Sequence, residues 1–198
     1  MRQFLVLFFT FFVFQVHAQL ETQVQWSVDS KMPANDVIYY KADQILAWDD
    51  FRGVVPERTG AVAAVTMSGF GYHASSKFSG RSGMVAIGVY CYFDKTKSWV
   101  KPGRTTEYIL QHEQLHFDIS YLAANIFIQE LRLAELTPGN MNAEISRIYK
   151  SCTDLMDRMQ DDYDRDTQNG QDVSQQKKWV TSIKRKLAEI NGNQNPVP

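Results

Sequence analysis

The segment from Thr105 to Leu136 constrains this chain more than any other. Pro102-Gly103 precedes it and Pro138-Gly139 follows it, and between these breakers Tyr108, Ile109, Leu115, Ile119, Ala123, Ile126 and Phe127 recur at helical spacing. A long helix with a buried face must therefore run through the molecule, and on that same face stand His112 and His116. Histidines four apart on a helix are separated by about 6 Å along the axis and about 40° around it, so both imidazoles reach one metal ion. They open and close the sequence His112-Glu113-Gln114-Leu115-His116, an HExxH motif. One buried histidine is usually a hydrogen-bonded core residue. Two, with a glutamate between them that flanks the metal as a general base, read as a catalytic zinc site of the metallopeptidase kind.

The N-terminus places this chemistry outside the cytoplasm. Arg2, an apolar run from Phe4 to Val16 and the small-residue pattern Val16-His17-Ala18 have the form of a cleaved secretory signal over residues 1–18. The run is short for a membrane span and no second apolar stretch of about 18 residues follows, so no stable membrane insertion is expected after cleavage. With 21 Lys and Arg against 22 Asp and Glu, the formal charge is −1 and no basic block marks a nucleic-acid partner. Residues 19–190 are long enough for a single domain with its own core, and 191–198, polar and proline-containing, read as a disordered tail. Cys91 falls in a predicted strand and Cys152 in a predicted helix. Export permits them to pair, and their spacing leaves a disulfide open.

Strand signals fill the first half: Val37 to Tyr40, Ala61 to Tyr72, and Met84 to Phe93, where Val85, Ile87, Val89 and Cys91 alternate with Ala86, Gly88, Tyr90 and Tyr92. Helical periodicity fills the second half, with helices expected at about Met141–Asp164 and Gln175–Ile190 besides the motif helix. An antiparallel or mixed sheet followed by an active-site helix and two further helices is an α+β fold.

A catalytic zinc takes three protein ligands and leaves a position open. His73, at the end of a predicted strand, is the remaining histidine of the mature chain. Glu130 lies in phase with His112 but 14 residues beyond His116, about 21 Å along the axis, too far to share the ion. Asp118 points away from His116 and is expected to orient a neighbouring element or face solvent. A carboxylate from the acidic run Asp161-Asp162-Tyr163-Asp164-Arg165-Asp166 is the better candidate, because its helix can fold back antiparallel to the first. Thr167 and Val173 stand where an EF-hand loop requires glycine and glutamate, so that run is not a calcium loop of that type.

Leu46 to Gly53, Ser98-Trp99, His112 to Asp118, Tyr163 to Thr167, and Gln176 with Trp179 together resemble the bacterial secreted zinc-dependent proteases of domain-of-unknown-function family 922, over about residues 45 to 183. The resemblance implies a zincin-like peptidase, secreted or periplasmic, with one Zn2+ on His112 and His116 and Glu113 as the base. It brings Tyr163 and Asp164 into the site region, Asp164 as third ligand and Tyr163 as a hydrogen-bond donor to the oxyanion. At one place the likeness departs: the position where the family pattern often has a histidine is Asn169 here, so either Asp164 completes the site or the ion is held more weakly. The expected partner is a peptide or protein substrate aligned on a sheet edge. The alternative is a non-catalytic zincin-fold binding module of the cell envelope. Substrate and oligomeric state stay open.

Overall fold

In the computed structural model, which describes residues 20–41, 45–79 and 82–194, the longest strand sits at the centre of a mixed sheet. The strands are β1 (Glu21–Trp26), β2 (Val37–Tyr39), β3 (Ala64–Val65), β4 (Ser68–Ser79), β5 (Ser82–Asp94) and β6 (Trp99–Val100), and the helices α1 (Glu107–Leu133), α2 (Met141–Thr167) and α3 (Val173–Gln194). β4 pairs antiparallel with β5 along its whole length, from Ser68↔Phe93 to Ser79↔Ser82. The other edge of β5 is shared end to end, β1 running parallel over Glu21↔Met84 to Trp26↔Val89 and β2 antiparallel over Val37↔Asp94 to Tyr39↔Tyr92. β3 and β6 form a separate two-stranded ribbon. The α+β class and the order of sheet before helices agree with the sequence reading.

The alternation in β5 fixes which face is covered. Val85, Ile87, Val89, Cys91 and Phe93 are all buried and pack with Phe117, Ala124, Phe127, Ile128 and Leu131 of α1. The opposite side of α1 presents Leu115, Ile119 and Leu122 to Tyr163 of α2 and to Ile183 and Ile190 of α3. So α1 has two buried faces, between sheet and helices, where the sequence showed one stripe. Cys91 and Cys152 belong to the sheet-side core as buried free thiols, and burial pushes the Cys152 thiol up to about 11.

Three boundaries differ from expectation. β1 was not foreseen, because Glu21-Thr-Gln-Val-Gln-Trp26 is polar and partly exposed, and what it offers the core is Val24 and the stacking of Trp26 on Tyr121 at 5.0 Å. The span Ala61–Tyr72 is two strands, and the second continues to Ser79 through a polar stretch that has only its hairpin partner to hold it. α3 extends to Gln194, into the segment expected to be a disordered tail. Residues 1–18, expected to form a signal peptide, and residues 195–198 lie outside the described residues. No helix among the described residues is long and apolar enough to cross a membrane.

Candidate metal centre

α1 begins where the sequence places it. Thr106 caps it by accepting the Ile109 amide at 3.3 Å, so the HExxH motif occupies the second and third turns with both histidines turned toward α2. α2 runs antiparallel to α1, bringing Asp164 to His112 and Gln160 to His116. The result is a convergence of three atoms. Asp164 Oδ1 lies 3.1 Å from His112 Nε2 and 3.1 Å from His116 Nε2, and the two Nε2 atoms are 3.3 Å apart. Of the sequence candidates for a third ligand, Asp164 is the one brought in.

Protons on the far side of each ring decide what these atoms offer. His112 Nδ1 is 3.0 Å from Gln176 Oε1, and His116 Nδ1 is 2.5 Å from Gln160 Oε1. An amide oxygen only accepts, so both Nδ1 atoms donate and both Nε2 atoms keep their lone pairs. Gln160 is fixed in turn by donating from Nε2 to the His116 carbonyl at 2.9 Å, and Gln176 accepts a second bond from Tyr163 Oη at 2.8 Å. Three electron-rich atoms thus face one point, a repulsive arrangement unless a cation or an added proton stands among them. Burial lowers the His116 pKa, but the bond to Asp164 and the charges of Glu113 and Asp164 outweigh it and leave it raised. Burial alone would raise the Asp164 carboxyl. When the imidazoles take up a proton, their bonds and charge outweigh that burial and hold the Asp164 carboxyl well below the usual carboxylate range.

Glu113 is buried at 4 % exposure, and its Oε2 has no hydrogen-bond partner. It lines the same cavity of about 800 Å³ as His112, His116 and Asp164. One wall of that cavity is the segment from Ala61 to Thr66, which includes β3, and Thr66 Oγ1 pins this wall to α1 by donating to the Glu113 carbonyl at 3.1 Å. The opposite rim is the loop after α2. There Gln168, Asn169 and Gly170 have φ of 52°, 52° and 80°, and Asn169 N closes the helix end onto the Asp164 carbonyl at 2.8 Å. Gly170 is required twice over, since its φ is left-handed and an added Cβ would come within 3.2 Å of His112 Nδ1.

The role expected for Tyr163 needs correcting. Its side chain is fully buried, stacked on the His112 ring at 4.6 Å, with its hydroxyl donating to Gln176 Oε1 and lying 3.3 Å from the His112 carbonyl. It does not line the cavity and has no proton to offer an oxyanion there; it supports the His112 ring from behind. His73 is also no ligand. It is exposed, and its ring lies over Gly88 on the face of β5 turned away from α1. Glu130 is exposed near the far end of α1. Asp118 accepts Tyr40 Oη and Gln114 Nε2, each at 3.0 Å, orienting β2 against α1 as one of the two expected outcomes. Asn169 lines the cavity with His112, His116 and Asp164. Sequence reasoning missed Gln160 and gave Gln176 no role. Gln160 had a sequence signature, four residues before Asp164 and hence on the same face of α2.

A family model described as a bacterial protein of unknown function (DUF922) matches residues 94–171. That span holds the motif helix, Gln160, Asp164 and the loop through Gly170, and it is narrower than the 45–183 over which the resemblance was read. The comparisons with curated proteins and with solved structures each find no match.

Proposed function

We propose that the protein is an exported zinc-dependent metallopeptidase of zincin-like design, hydrolysing peptide bonds in the periplasm or outside the cell. The observation that carries this reading is the pairing of two features in one cavity: three lone-pair atoms 3.1 to 3.3 Å apart, and beside them a buried glutamate oxygen with no partner. The donor set fits zinc. Tetrahedral bonds of about 2.0–2.1 Å separate neighbouring ligands by about 3.3 Å, and two neutral imidazoles with one carboxylate are an ordinary catalytic set. His112, His116 and Asp164 would hold the ion. Zinc supplies Lewis acidity, drawing the pKa of a water toward neutrality and polarising a carbonyl.

The remaining steps belong to the chain's own groups. Glu113 takes a proton from the water that attacks the carbonyl carbon, then delivers it to the amine nitrogen as the C–N bond breaks, so acid and base are one residue. Its burial keeps bulk water from competing for that proton. Gln160 and Gln176 hold the two imidazoles in the tautomer that leaves Nε2 unprotonated. The Ala61–Thr66 wall is a strand edge, because β3 pairs with β6 on one side only, and an extended peptide adds to it by main-chain bonds. The leader-like residues 1–18 support export, and Asp164 beside His112 and His116 offers a third ligand although Asn169 occupies the place where the family pattern often has a histidine.

The test is metal content together with turnover of labelled casein. Purified residues 19–198 should hold one zinc per chain, Glu113→Gln should keep the metal and lose about 10²–10⁴-fold in kcat, and His112→Ala should lose both. Full turnover by Glu113→Gln would sink the mechanism. Wild-type protein that holds zinc but cleaves neither casein nor a broad peptide mixture would return the alternative, a binding module.

A further inference from the structure

With Tyr163 turned away, the site still needs a group to meet the negative charge that develops on the scissile carbonyl oxygen. The side-chain donors around the cavity can be accounted for one by one. Thr66 Oγ1 gives its proton to the Glu113 carbonyl, Ser68 Oγ is paired with Ser120 Oγ at 2.8 Å, Tyr108 Oη donates to the Gly170 carbonyl at 2.7 Å, and Gln160 Nε2 is committed to the His116 carbonyl. Among the described residues that line the cavity, Arg104, Asn169 and Gln171 remain with side-chain donors that make no bond within the protein.

All three line the cavity, and their backbone attachments separate them. Arg104 lies two residues before the α1 cap and about two helical turns from His112, which suits it to a flanking part of a substrate. Gln171 follows Gly170, and its own amide is bonded to the Gln168 carbonyl instead of to a residue of the three-atom cluster. Asn169 lines the cavity with its own amide bonded to the carbonyl of Asp164, and the next residue packs against the His112 ring. It is short, so little rotamer freedom is lost when it acts. It is also held in the left-handed region within a run of three such residues, a conformation L-residues adopt singly and one that gathers at functional sites.

We infer that the Asn169 carboxamide donates a hydrogen bond to the carbonyl oxygen of the scissile bond as it becomes an oxyanion, making Asn169 a catalytic residue. This rests on the metallopeptidase reading. The strained loop then has a purpose: the turn that ends α2 places the anionic ligand and the neutral donor at one rim, five residues apart. Being uncharged, the amide stabilises the oxyanion without competing with the ion for Asp164 or drawing the proton of Glu113.

The experiment uses zinc-loaded residues 19–198 with Asn169→Ala, Asn169→Gly and Asn169→Asp, measuring casein turnover, zinc content and inhibition by a phosphinic peptide whose tetrahedral oxygens imitate the transition state. All three variants should keep one zinc, show kcat reduced about 10²–10³-fold with KM within about threefold, and bind the phosphinic peptide more weakly by a similar factor. Asn169→Gly keeps the left-handed backbone without strain, so activity retained there and lost in Asn169→Ala would overturn the inference in favour of backbone geometry. Unchanged kcat and inhibitor affinity in all three would overturn it outright. Failure of the underlying reading is distinguishable, because wild-type protein would then show no turnover before any variant is made.

Discussion

Gln160 and Gln176 are neutral where many histidine ligands lean on a carboxylate, and the charge count of the site explains why. On the zinc reading, the ion's two positive charges would meet the carboxylates of Asp164 and Glu113, and the centre would be balanced without help from behind the rings. A carboxylate at position 176, almost wholly buried, would add an anion with no cation to answer it. The amide has its own cost. Its Nε2 is buried with no partner, a group worth about 1–3 kcal/mol left unsatisfied, while its oxygen serves both His112 Nδ1 and Tyr163 Oη. Replacing either glutamine by leucine removes the acceptor and frees the ring to take the wrong tautomer. Zinc affinity, read by competition with a chromophoric chelator, is expected to fall about 10–100-fold in Gln160→Leu and in Gln176→Leu. Affinity within twofold of wild type in both would mean that the rings are oriented by packing alone. Little of this was legible beforehand: the spacing of Gln160 from Asp164 and the place of Gln176 in the family likeness were the sole signs, because an amide is chemically unmarked in a chain rich in glutamine, whereas a histidine pair four apart is not.

Among the elements, those with strong periodicity were readable and those held by one neighbour were not. α1, α2, α3 and β5 each carry an apolar repeat that marks the element, although α1 and α2 each supply residues to both cores. β1 and the outer half of β4 are polar strands whose order comes from pairing with β5, a long-range contact that leaves no mark in local composition. The turn from β5 to β6 matters to the site because it anchors the ribbon that walls the cavity, and Asp94 organises it. Its Oδ1 accepts Thr96 N at 3.0 Å, Thr96 Oγ1 at 2.8 Å and Lys97 N at 3.1 Å, while its main-chain carbonyl accepts Ser98 Oγ at 2.7 Å. Burial raises the Asp94 carboxyl, but the bonds from Thr96 and Lys97 outweigh it and leave the pKa lowered. A folded pKa below the unfolded one contributes stability that is fully present above the unfolded carboxylate pKa of about 3.9 and is lost as pH falls through the folded value. Asp94→Asn is therefore expected to cost about 1–2 kcal/mol in urea unfolding at pH 7, with the gap from wild type closing below about pH 4. A gap that is the same at pH 3 and pH 7 would show that the charge is irrelevant to the turn.

At the scale of the whole molecule, a metal ion held by His112, His116 and Asp164 would add a second tie between α1 and α2 beyond the apolar core they already share. α1 meets the sheet and the first half of α2, through Ile145, Ile148 and Cys152, in one core, and meets the second half of α2 and α3 through a smaller cluster of Leu115, Ile119, Leu122, Tyr163, Ile183 and Ile190. The ligands straddle that second boundary, His112 and His116 on α1 and Asp164 on α2, with Gln176 of α3 behind them. An ion at this point cross-links the helical layer, and the α1 half of the cross-link was plain in the sequence while the α2 half depended on how the chain returns. A cation that binds the folded chain and not the unfolded one stabilises it by mass action, about 4 kcal/mol at a thousandfold excess over its dissociation constant. For a chain of this size that corresponds to a rise in Tm of about 8–16 °C. Scanning calorimetry of residues 19–198 should show this rise when zinc is restored to EDTA-treated protein, an equal rise for Glu113→Gln, and almost none for Asp164→Ala. Because Asp164 reaches the centre only when α2 is docked, amide hydrogens of α2 and α3 should slow their exchange on zinc addition more than those of β4 and β5. A uniform slowing across sheet and helices would instead mean that the chain unfolds as one unit from which the helical layer does not separate.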